Sequence, residues 1–146
     1  MSYWDTSALI KLYVREPDSA IFERHLQLQI GATVSARVAL WETRAAFRRK
    51  EAEGILATGM TQKLHQQILA DLGAGEWQAI EVGPDVEAEF NRVLDVVHRR
   101  TPPLFLRTLD AIHIASARVA GETEIVATDK RLREAAVLLG FTLFPQ

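Results

Sequence analysis

The sequence of 146 residues contains no cysteine and only four histidines. Without cysteine, the chain can form neither disulfide bridges nor thiolate metal sites. No two of the histidines lie four residues apart, so a zinc site on one helix face is not expected. No apolar run approaches the roughly 20 residues of a membrane-spanning helix, and the N-terminus lacks the basic and apolar segments of a signal peptide. We therefore expect a cytoplasmic protein with no part in the membrane.

Positive charge is not in excess either, because 17 lysines and arginines face 19 aspartates and glutamates. The formal net charge of −2 does not indicate a basic nucleic-acid-binding protein. Local patches decide such questions better than totals, and four acids gathered at one metal ion would leave the remaining surface slightly positive. The apolar share of 48% and the charged share of 25% are ordinary for a folded globular protein.

Short apolar runs alternate with stretches of helical periodicity along the whole chain. The runs predict five strands, at 2–5, 31–35, 77–82, 124–128 and 141–144. The periodic stretches predict seven helices, at about 6–14, 18–28, 35–53, 61–72, 83–100, 105–120 and 129–139, with Ser35 capping the third. Strands separated by helices imply parallel pairing through crossover connections. We predict an α/β fold, a three-layer α/β/α single domain with a short parallel central sheet over residues 1–146.

Two aspartates stand where a predicted strand passes into a helix. Asp5 follows the first strand and Asp129 follows the fourth. Such a residue can cap the helix, because its side chain accepts a hydrogen bond from an unpaired backbone N–H group. It can also bind a ligand, because open α/β sheets place their ligands at the carboxyl ends of the strands. Neither aspartate alone distinguishes these roles.

Two further acids fall on helix faces that we expect to pack against the sheet. Glu42 has four apolar neighbours at helical spacing, Val38, Trp41, Ala45 and Ala46. The neighbours of Asp110 at helical spacing are Leu106, His113, Ile114 and Ala117. Ionised carboxylates are rarely buried unless they are paired or bind a metal. Glu42 could pair with Arg37 or Arg49. Asp110 could likewise pair with Arg107 or His113.

A single acidic pocket at the strand ends would explain all four of these acids, Asp5, Glu42, Asp110 and Asp129. Gathered carboxylates repel one another and need a compensating cation. Hard divalent ions prefer oxygen ligands, so Mg²⁺ or Mn²⁺ suits the pocket better than zinc. We predict that the four side chains form a metal site.

Four short motifs carry a resemblance to a known family. D-T-S-A-L-I-K-L-Y-V begins at Asp5, W-E ends at Glu42, L-D-A-I-H-I-A contains Asp110 and T-D-K-R-L contains Asp129. With this order and spacing over nearly the whole chain, the sequence resembles the PIN domain and, more narrowly, the VapC-type toxins of type II toxin–antitoxin pairs. The resemblance implies an Mg²⁺- or Mn²⁺-dependent endoribonuclease that hydrolyses phosphodiester bonds of tRNA, rRNA or mRNA. It also implies a homodimer and an antitoxin protein that blocks the acidic pocket.

The resemblance assigns roles to individual residues. By position, the catalytic and metal-binding acids are Asp5, Glu42, Asp110 and Asp129. We expect Asp5 and Asp110 to make the main metal contacts, and the other two to complete the metal's surroundings directly or through water. Ser7 matches a small polar residue that helps to hold the first acid. Many family members carry a threonine two residues before the fourth acid. That position is Ala127 here, so a supporting role is assigned to the adjacent Thr128.

Basic side chains near the acids are candidates for contacts with RNA phosphates. They are Lys11, Arg44, Arg48, Lys130 and Arg131, with Arg37, Arg49 and Lys50 as further candidates. His113, one helical turn after Asp110, is a candidate for contact with the scissile phosphate. Charged helix faces are more often simply solvated, and an interior histidine with satisfied hydrogen bonds needs no substrate. Both interpretations stay open at this point.

Three other functions compete with a nuclease. A haloacid-dehalogenase-like phosphatase needs a second aspartate two residues after the first, where this chain has Ser7. A hydrolase built on Ser7, His113 and Asp110 lacks a nucleophile elbow near the serine. The serious alternative is a catalytically inactive PIN scaffold that binds protein or RNA. Such a scaffold has no reason to keep four mutually repelling acids.

Overall fold

A five-stranded parallel sheet forms the centre of the molecule in a computed structural model that describes residues 1–146. The strands are β1 (Tyr3–Trp4), β2 (Thr33–Ala36), β3 (Trp77–Ile80), β4 (Glu124–Val126) and β5 (Thr142–Phe144). The helices are α1 (Thr6–Leu9), α2 (Ser19–Leu28), α3 (Ala39–Ala52), α4 (Met60–Ala74), α5 (Pro84–Arg99), α6 (Thr108–Val119) and α7 (Lys130–Leu138). None of the helices combines the length and the apolar character needed to cross a membrane.

The strand order β3-β2-β1-β4-β5 gives the sheet one reversal point, between β1 and β4. From β1 the chain adds β2 and β3 on one side, and then crosses over to add β4 and β5 on the other. β1 and β4 pair in parallel, with Tyr3 opposite Ile125 and Trp4 opposite Val126. In open α/β sheets the connections diverge at such a reversal and leave a crevice at the carboxyl ends of the strands. The residues that follow β1 and β4 therefore border this crevice.

β1 lies at the centre of the core and is buried on both faces. Tyr3 and Trp4 are 0% exposed, and as successive residues of a strand they point to opposite faces of the sheet. Tyr3 packs in a cluster with Val93 of α5 and Ile114 of α6, whereas Trp4 packs with Phe22 of α2. Helices thus cover both faces of the sheet, and the predicted three-layer α/β/α fold is confirmed.

α3 and α4 form a helical pair beside β3. Phe47, Ile68 and Trp77 pack together in the cluster that joins these three elements. The Glu51 carboxylate of α3 accepts hydrogen bonds from the backbone N–H groups of Gly59 and Thr61, at 3.0 and 2.9 Å. Because this contact satisfies free N–H groups at the start of α4, it fixes that end of the helix against α3.

Element boundaries depart from the prediction at three places. Ser35 lies inside β2, opposite Ala79 of β3, so it does not cap a helix, and α3 begins only at Ala39. Strand pairing in a buried position outweighs the capping tendency of serine here. The expected helix at 6–14 is divided into α1 and a 3-10 helix, Ile10–Leu12. The expected helix at 105–120 begins at Thr108, and Arg107 before it has an extended backbone.

Candidate active site

The four predicted acids line one cavity of about 240 Å³. Asp5 follows β1 and Asp129 follows the end of β4, so they stand on the two sides of the reversal point. Glu42 reaches the cavity from the first turn of α3, and Asp110 reaches it from the first turn of α6. The fold thus brings together four carboxylates that are far apart in the sequence.

Asp5 is the most enclosed of the four acids, with 4% of its surface exposed. Its carboxylate accepts hydrogen bonds from the Ser7 hydroxyl at 2.7 and 2.9 Å and from the backbone N–H of Ala8 at 3.0 Å. Burial raises the pKa of Asp5 to about 6, although the charge of His113 and these hydrogen bonds favour the ionised form. Asp5 caps α1 and also lines the cavity, so its capping role does not exclude ligand binding.

Ser7 connects the two sides of the reversal point. Its hydroxyl hydrogen is donated to Asp5, and its oxygen accepts a hydrogen bond of 3.0 Å from the backbone N–H of Thr128. The expected supporting contact of Thr128 is therefore made by its main chain, whereas its side chain makes no hydrogen bond. Since every residue except proline has a backbone N–H, this contact does not require threonine.

Glu42 is held by a chain of buried hydrogen bonds that starts in β1. The Tyr3 hydroxyl lies 2.7 Å from Nδ1 of His113, and Nε2–H of His113 donates to the Glu42 carboxylate at 2.6 Å. The Thr6 hydroxyl donates to the same carboxylate oxygen at 2.8 Å. Burial opposes the ionisation of Glu42, but the hydrogen bonds from His113 and Thr6 and the neighbouring positive charges outweigh it. The pKa of Glu42 is therefore lowered.

The structure corrects two expectations about this region. His113 is only 2% exposed and both its ring nitrogens are engaged inside the protein, so it holds Glu42 and is not available to a phosphate. Trp41 and Ala45 are exposed, so only two of the four apolar neighbours of Glu42, Val38 and Ala46, are buried. Glu42 therefore lies at the border of the buried stripe of α3, and its partner is a histidine and not an arginine.

Asp110 and Asp129 share one guanidinium group. Arg107 donates to Asp110 at 2.8 Å from Nε and at 3.3 Å from Nη2, and Nη2 also donates to Asp129 at 3.0 Å. These contacts raise the pKa of Arg107. Asp129 in addition caps α7, because Oδ1 accepts hydrogen bonds from the N–H groups of Arg131 and Leu132. The ion pair between Arg107 and Asp110 was one of the alternatives open from the sequence, but the bridge to Asp129 was not foreseen.

The predicted metal site is not preformed, because no three acidic or histidine side chains are arranged as a set of metal ligands. The positive charge between Asp110 and Asp129 is the guanidinium of Arg107. The chemistry of the cavity nevertheless fits a hard divalent cation, because all four acids present oxygen atoms to one small space. The Arg107 side chain that lies between two of these acids is 59% exposed.

Lys11 is a correction to the predicted RNA contacts. Its side chain is buried, and its ammonium group is paired with the carboxylates of Glu16 and Asp18. Burial lowers the pKa of Lys11, but hydrogen bonds to both carboxylates outweigh burial and raise it. Lys50 is paired with Glu16 as well, at 3.0 Å. Both lysines thus belong to an ion-pair network that fixes the segment after α1.

The other basic candidates lie on the surface around the cavity. Arg49 itself lines the acidic cavity. Arg44 and Arg48 line a groove of about 570 Å³ on the neighbouring face of α3, together with the exposed Trp41. On the opposite side, Lys130 and Arg131 are exposed at the start of α7, directly after Asp129; Arg37 is paired loosely with Glu81, at 3.8 Å.

Comparison with known proteins identifies similar sequences. Residues 2–138 match the family model described as PIN domain. Ribonuclease VapC46 of Mycobacterium tuberculosis is 32% identical over 143 residues, which are 97% of this chain and 94% of that protein.

Three solved structures have similar folds. VapC20 of Mycobacterium tuberculosis, described as a Sarcin-Ricin loop cleaving toxin, has a TM-score of 0.70 and 17% identity, covering 92% of this chain and 95% of that chain. FitAB bound to an IR36 DNA fragment has a TM-score of 0.68 and 17% identity, with 99% and 94% covered. FitAcB of Neisseria gonorrhoeae has a TM-score of 0.66 and 14% identity, with 99% and 96% covered. At these identities the similarity is one of fold.

Proposed function

Since this chain belongs to the PIN-domain family, we propose that it is an endoribonuclease that depends on Mg²⁺ or Mn²⁺ and acts as the toxin of a VapBC-type toxin–antitoxin pair. The observation that carries the proposal is the single cavity lined by all four acids at the reversal point of the sheet. The identity of 32% with Ribonuclease VapC46 over nearly the whole of both chains supports it. Its proposed substrate is tRNA, rRNA or mRNA, and its proposed location is the cytoplasm.

The acids would hold the metal, with Asp5 and Asp110 as the main ligands and Glu42 and Asp129 completing its surroundings. When bound, a divalent ion offsets the negative charge of the phosphodiester and makes an attacking water more acidic. The protein keeps the ligands in place. Ser7 orients Asp5 and His113 orients Glu42 through the hydrogen bonds described above. Water adds to phosphorus, the bond to the 3′ oxygen breaks, and the products are a 5′-phosphate and a 3′-hydroxyl.

The substrate would be held along α3 and the start of α7. The groove beside the acidic cavity combines two exposed guanidinium groups, Arg44 and Arg48, with the exposed indole of Trp41. Arginines bind phosphates, and an exposed aromatic ring can stack on an unpaired base. Arg49 adds a further guanidinium group, which lines the acidic cavity itself. We propose that single-stranded RNA passes over this face of α3.

The proposed partners are an antitoxin and a second copy of the chain. Exposed apolar side chains at the end of α2 and just after it, Leu28 and Ile30, offer surface that such partners could cover. The family resemblance supports both partners, whereas core packing does not explain side chains this exposed.

A cleavage assay with total RNA tests the nuclease. We expect cutting with Mg²⁺ or Mn²⁺, none with EDTA, and at least about a 100-fold loss in Asp5→Asn, because one carboxylate ligand is removed. Asp95→Asn is the matched control, since Asp95 is exposed on α5 outside the cavity.

Other outcomes point to other functions. Cutting that persists unchanged in Asp5→Asn indicates a contaminating nuclease. RNA binding without any cutting indicates the inactive scaffold, and release of phosphate from small esters indicates a phosphatase.

A further inference from the structure

We propose that Arg107 competes with the divalent metal for Asp110 and Asp129, and that it binds the phosphodiester of the substrate when the metal holds these carboxylates. This inference rests on the proposed nuclease function. It assigns a substrate-binding role to a residue that the four-acid pattern leaves out.

The Arg107 guanidinium group bridges two of the acids. Arg107 uses Nε and Nη2 for its bonds to Asp110 and Asp129, and Nη1 donates to no group of the protein. The two carboxylates belong to the starts of different helices, α6 and α7. Arg107 therefore occupies the position between the two acids that a shared metal ion would take. The guanidinium and the metal ion compete for the same carboxylate oxygens.

The Arg107 side chain is more exposed than the Asp110 carboxylate that it contacts. Arg107 precedes α6 with an extended backbone, and residues 103–107 belong to no helix or strand. Its side chain is 59% exposed, whereas the side chain of Asp110 is only 9% exposed. Water competes for the hydrogen bonds of the exposed guanidinium but hardly for those of the buried Asp110 carboxylate. The carboxylate thus stays in place, and the guanidinium can turn into solvent when a metal compensates for the lost ion pairs.

The charges in the cavity favour a phosphate contact for Arg107. The cavity contains four carboxylates and two guanidinium groups, those of Arg107 and Arg49. A phosphodiester adds negative charge, and a guanidinium presents two parallel N–H groups that match two phosphate oxygens. Once a metal holds Asp110 and Asp129, the Arg107 guanidinium loses these acceptors and can take the phosphate in their place. Arg107 thus pairs with the two carboxylates in the metal-free protein and with the substrate phosphate in the metal-bound protein.

Calorimetry of Mn²⁺ binding without RNA tests the competition directly. We expect Arg107→Gln to bind Mn²⁺ about tenfold more tightly than the natural protein, because the competing cation is removed. Arg100→Gln is the matched control. Arg100 also forms an exposed ion pair, at 2.6 Å with Glu134, but it lies outside the acidic cavity.

Single-turnover cleavage at saturating Mn²⁺ tests whether Arg107 binds the substrate phosphate. We expect Arg107→Gln to cut about 100-fold more slowly, because one donor to the phosphate is lost. Arg107→Lys keeps a positive charge and is expected to restore part of the rate and part of the competition. A merely structural arginine would lower metal affinity or stability when removed, and would not raise the affinity.

The outcomes separate this inference from the proposed function. If the natural protein cuts RNA with metal and Arg107→Gln matches Arg100→Gln in Mn²⁺ affinity and in rate, the role of Arg107 is overturned and the nuclease stands. Weaker Mn²⁺ binding by Arg107→Gln overturns it as well. If the natural protein binds Mn²⁺ but cuts no RNA, the nuclease proposal fails, and tighter Mn²⁺ binding by Arg107→Gln then supports only the competition.

Discussion

Among single residues, Asp5 is subject to two opposing requirements. In the proposed metal site it has to be ionised to hold a cation, yet burial raises its pKa to about 6, above the ordinary value of 3.8. Because the folded chain binds this proton more tightly than the unfolded chain, the carboxyl contributes its full stability below the unfolded pKa. That contribution is lost as the pH rises through 6. At neutral pH the metal-free protein therefore contains a buried charge that lowers its stability.

This imbalance predicts a pH-dependent effect of Asp5→Asn on the metal-free protein. Asparagine keeps a side-chain oxygen for the hydrogen bonds from Ser7 and Ala8, but it does not ionise. We expect the difference in the free energy of unfolding, variant minus natural protein, to be about 1 kcal/mol more positive at pH 8 than at pH 5, because only the natural protein loses stability over this range. Urea unfolding in EDTA at both pH values measures this. Any pH-independent effect cancels, so an equal difference at both pH values would contradict the raised pKa.

His113 provides a second prediction for a single residue. His113→Leu retains an apolar side chain in the interior but removes the hydrogen-bond partner of Tyr3 and leaves Glu42 with only the bond from Thr6. We expect the free energy of unfolding to fall by about 2 kcal/mol and single-turnover cleavage to slow by about 100-fold, because Glu42 is no longer oriented.

Tyr3→Phe is the milder variant for comparison, since it removes one hydrogen bond and keeps the contact between His113 and Glu42. Urea unfolding and cleavage at saturating metal measure both effects. A His113→Leu protein that cuts RNA at the natural rate would show that the orientation of Glu42 is unimportant.

That the acids lie together could be predicted from the sequence because each stands at a position that is informative in an α/β fold. Asp5 and Asp129 stand at strand ends, and Asp110 is an ionisable group on a buried helix face. The role of Arg107 could not be predicted in the same way. Its contact with Asp129 depends on the course of residues 103–107, a segment with no periodicity of its own. His113 was ambiguous for a related reason, because its partner Tyr3 is 110 positions away in the chain.

Among the helices, α3 is unusual because two adjacent faces line two different cavities. Glu42, Ala46 and Arg49 face the acids, whereas Trp41 and Arg48 face the neighbouring groove. Within each set the residues are three, four or seven residues apart, so each set lies on one face of the helix. A substrate that lies in the groove thus reaches the acids by crossing a single helix.

The groove can be tested by the fluorescence of Trp41. Trp4 and Trp77 are buried and Trp41 is 66% exposed, so Trp41 is the tryptophan that a bound base can quench. We expect a single-stranded RNA oligonucleotide to quench the emission of the Asp5→Asn protein, and Trp41→Phe to abolish the change. Replacing Arg44 and Arg48 by glutamine should lower the salt dependence of binding by about one unit of slope per residue.

Two results would contradict this assignment of the groove. One is equal quenching in the Trp41→Phe variant. The other is emission that changes with protein concentration and not with RNA, which would mean that two copies of the chain cover this face.

For the whole molecule, the number, type and order of the main elements were predictable, whereas the arrangement of the strands was not. Alternating apolar runs and helical periodicity fix the succession of strands and helices. The strand order depends on which strand edges pair. Because every strand offers the same backbone hydrogen-bonding groups, the sequence does not single out the partners. β1 has only two residues, yet it lies in the centre because Tyr3 and Trp4 bury large side chains on both of its faces.

The bond between Ser7 and the backbone of Thr128 has a consequence for biosynthesis. It joins positions 121 residues apart, and the first and fourth acids lie directly beside its two ends. A ribosome that makes this protein therefore has to release the chain through Asp129 before the four acids can meet. A product that ends before Asp129 would lack one acid of the proposed site and is expected to cut no RNA.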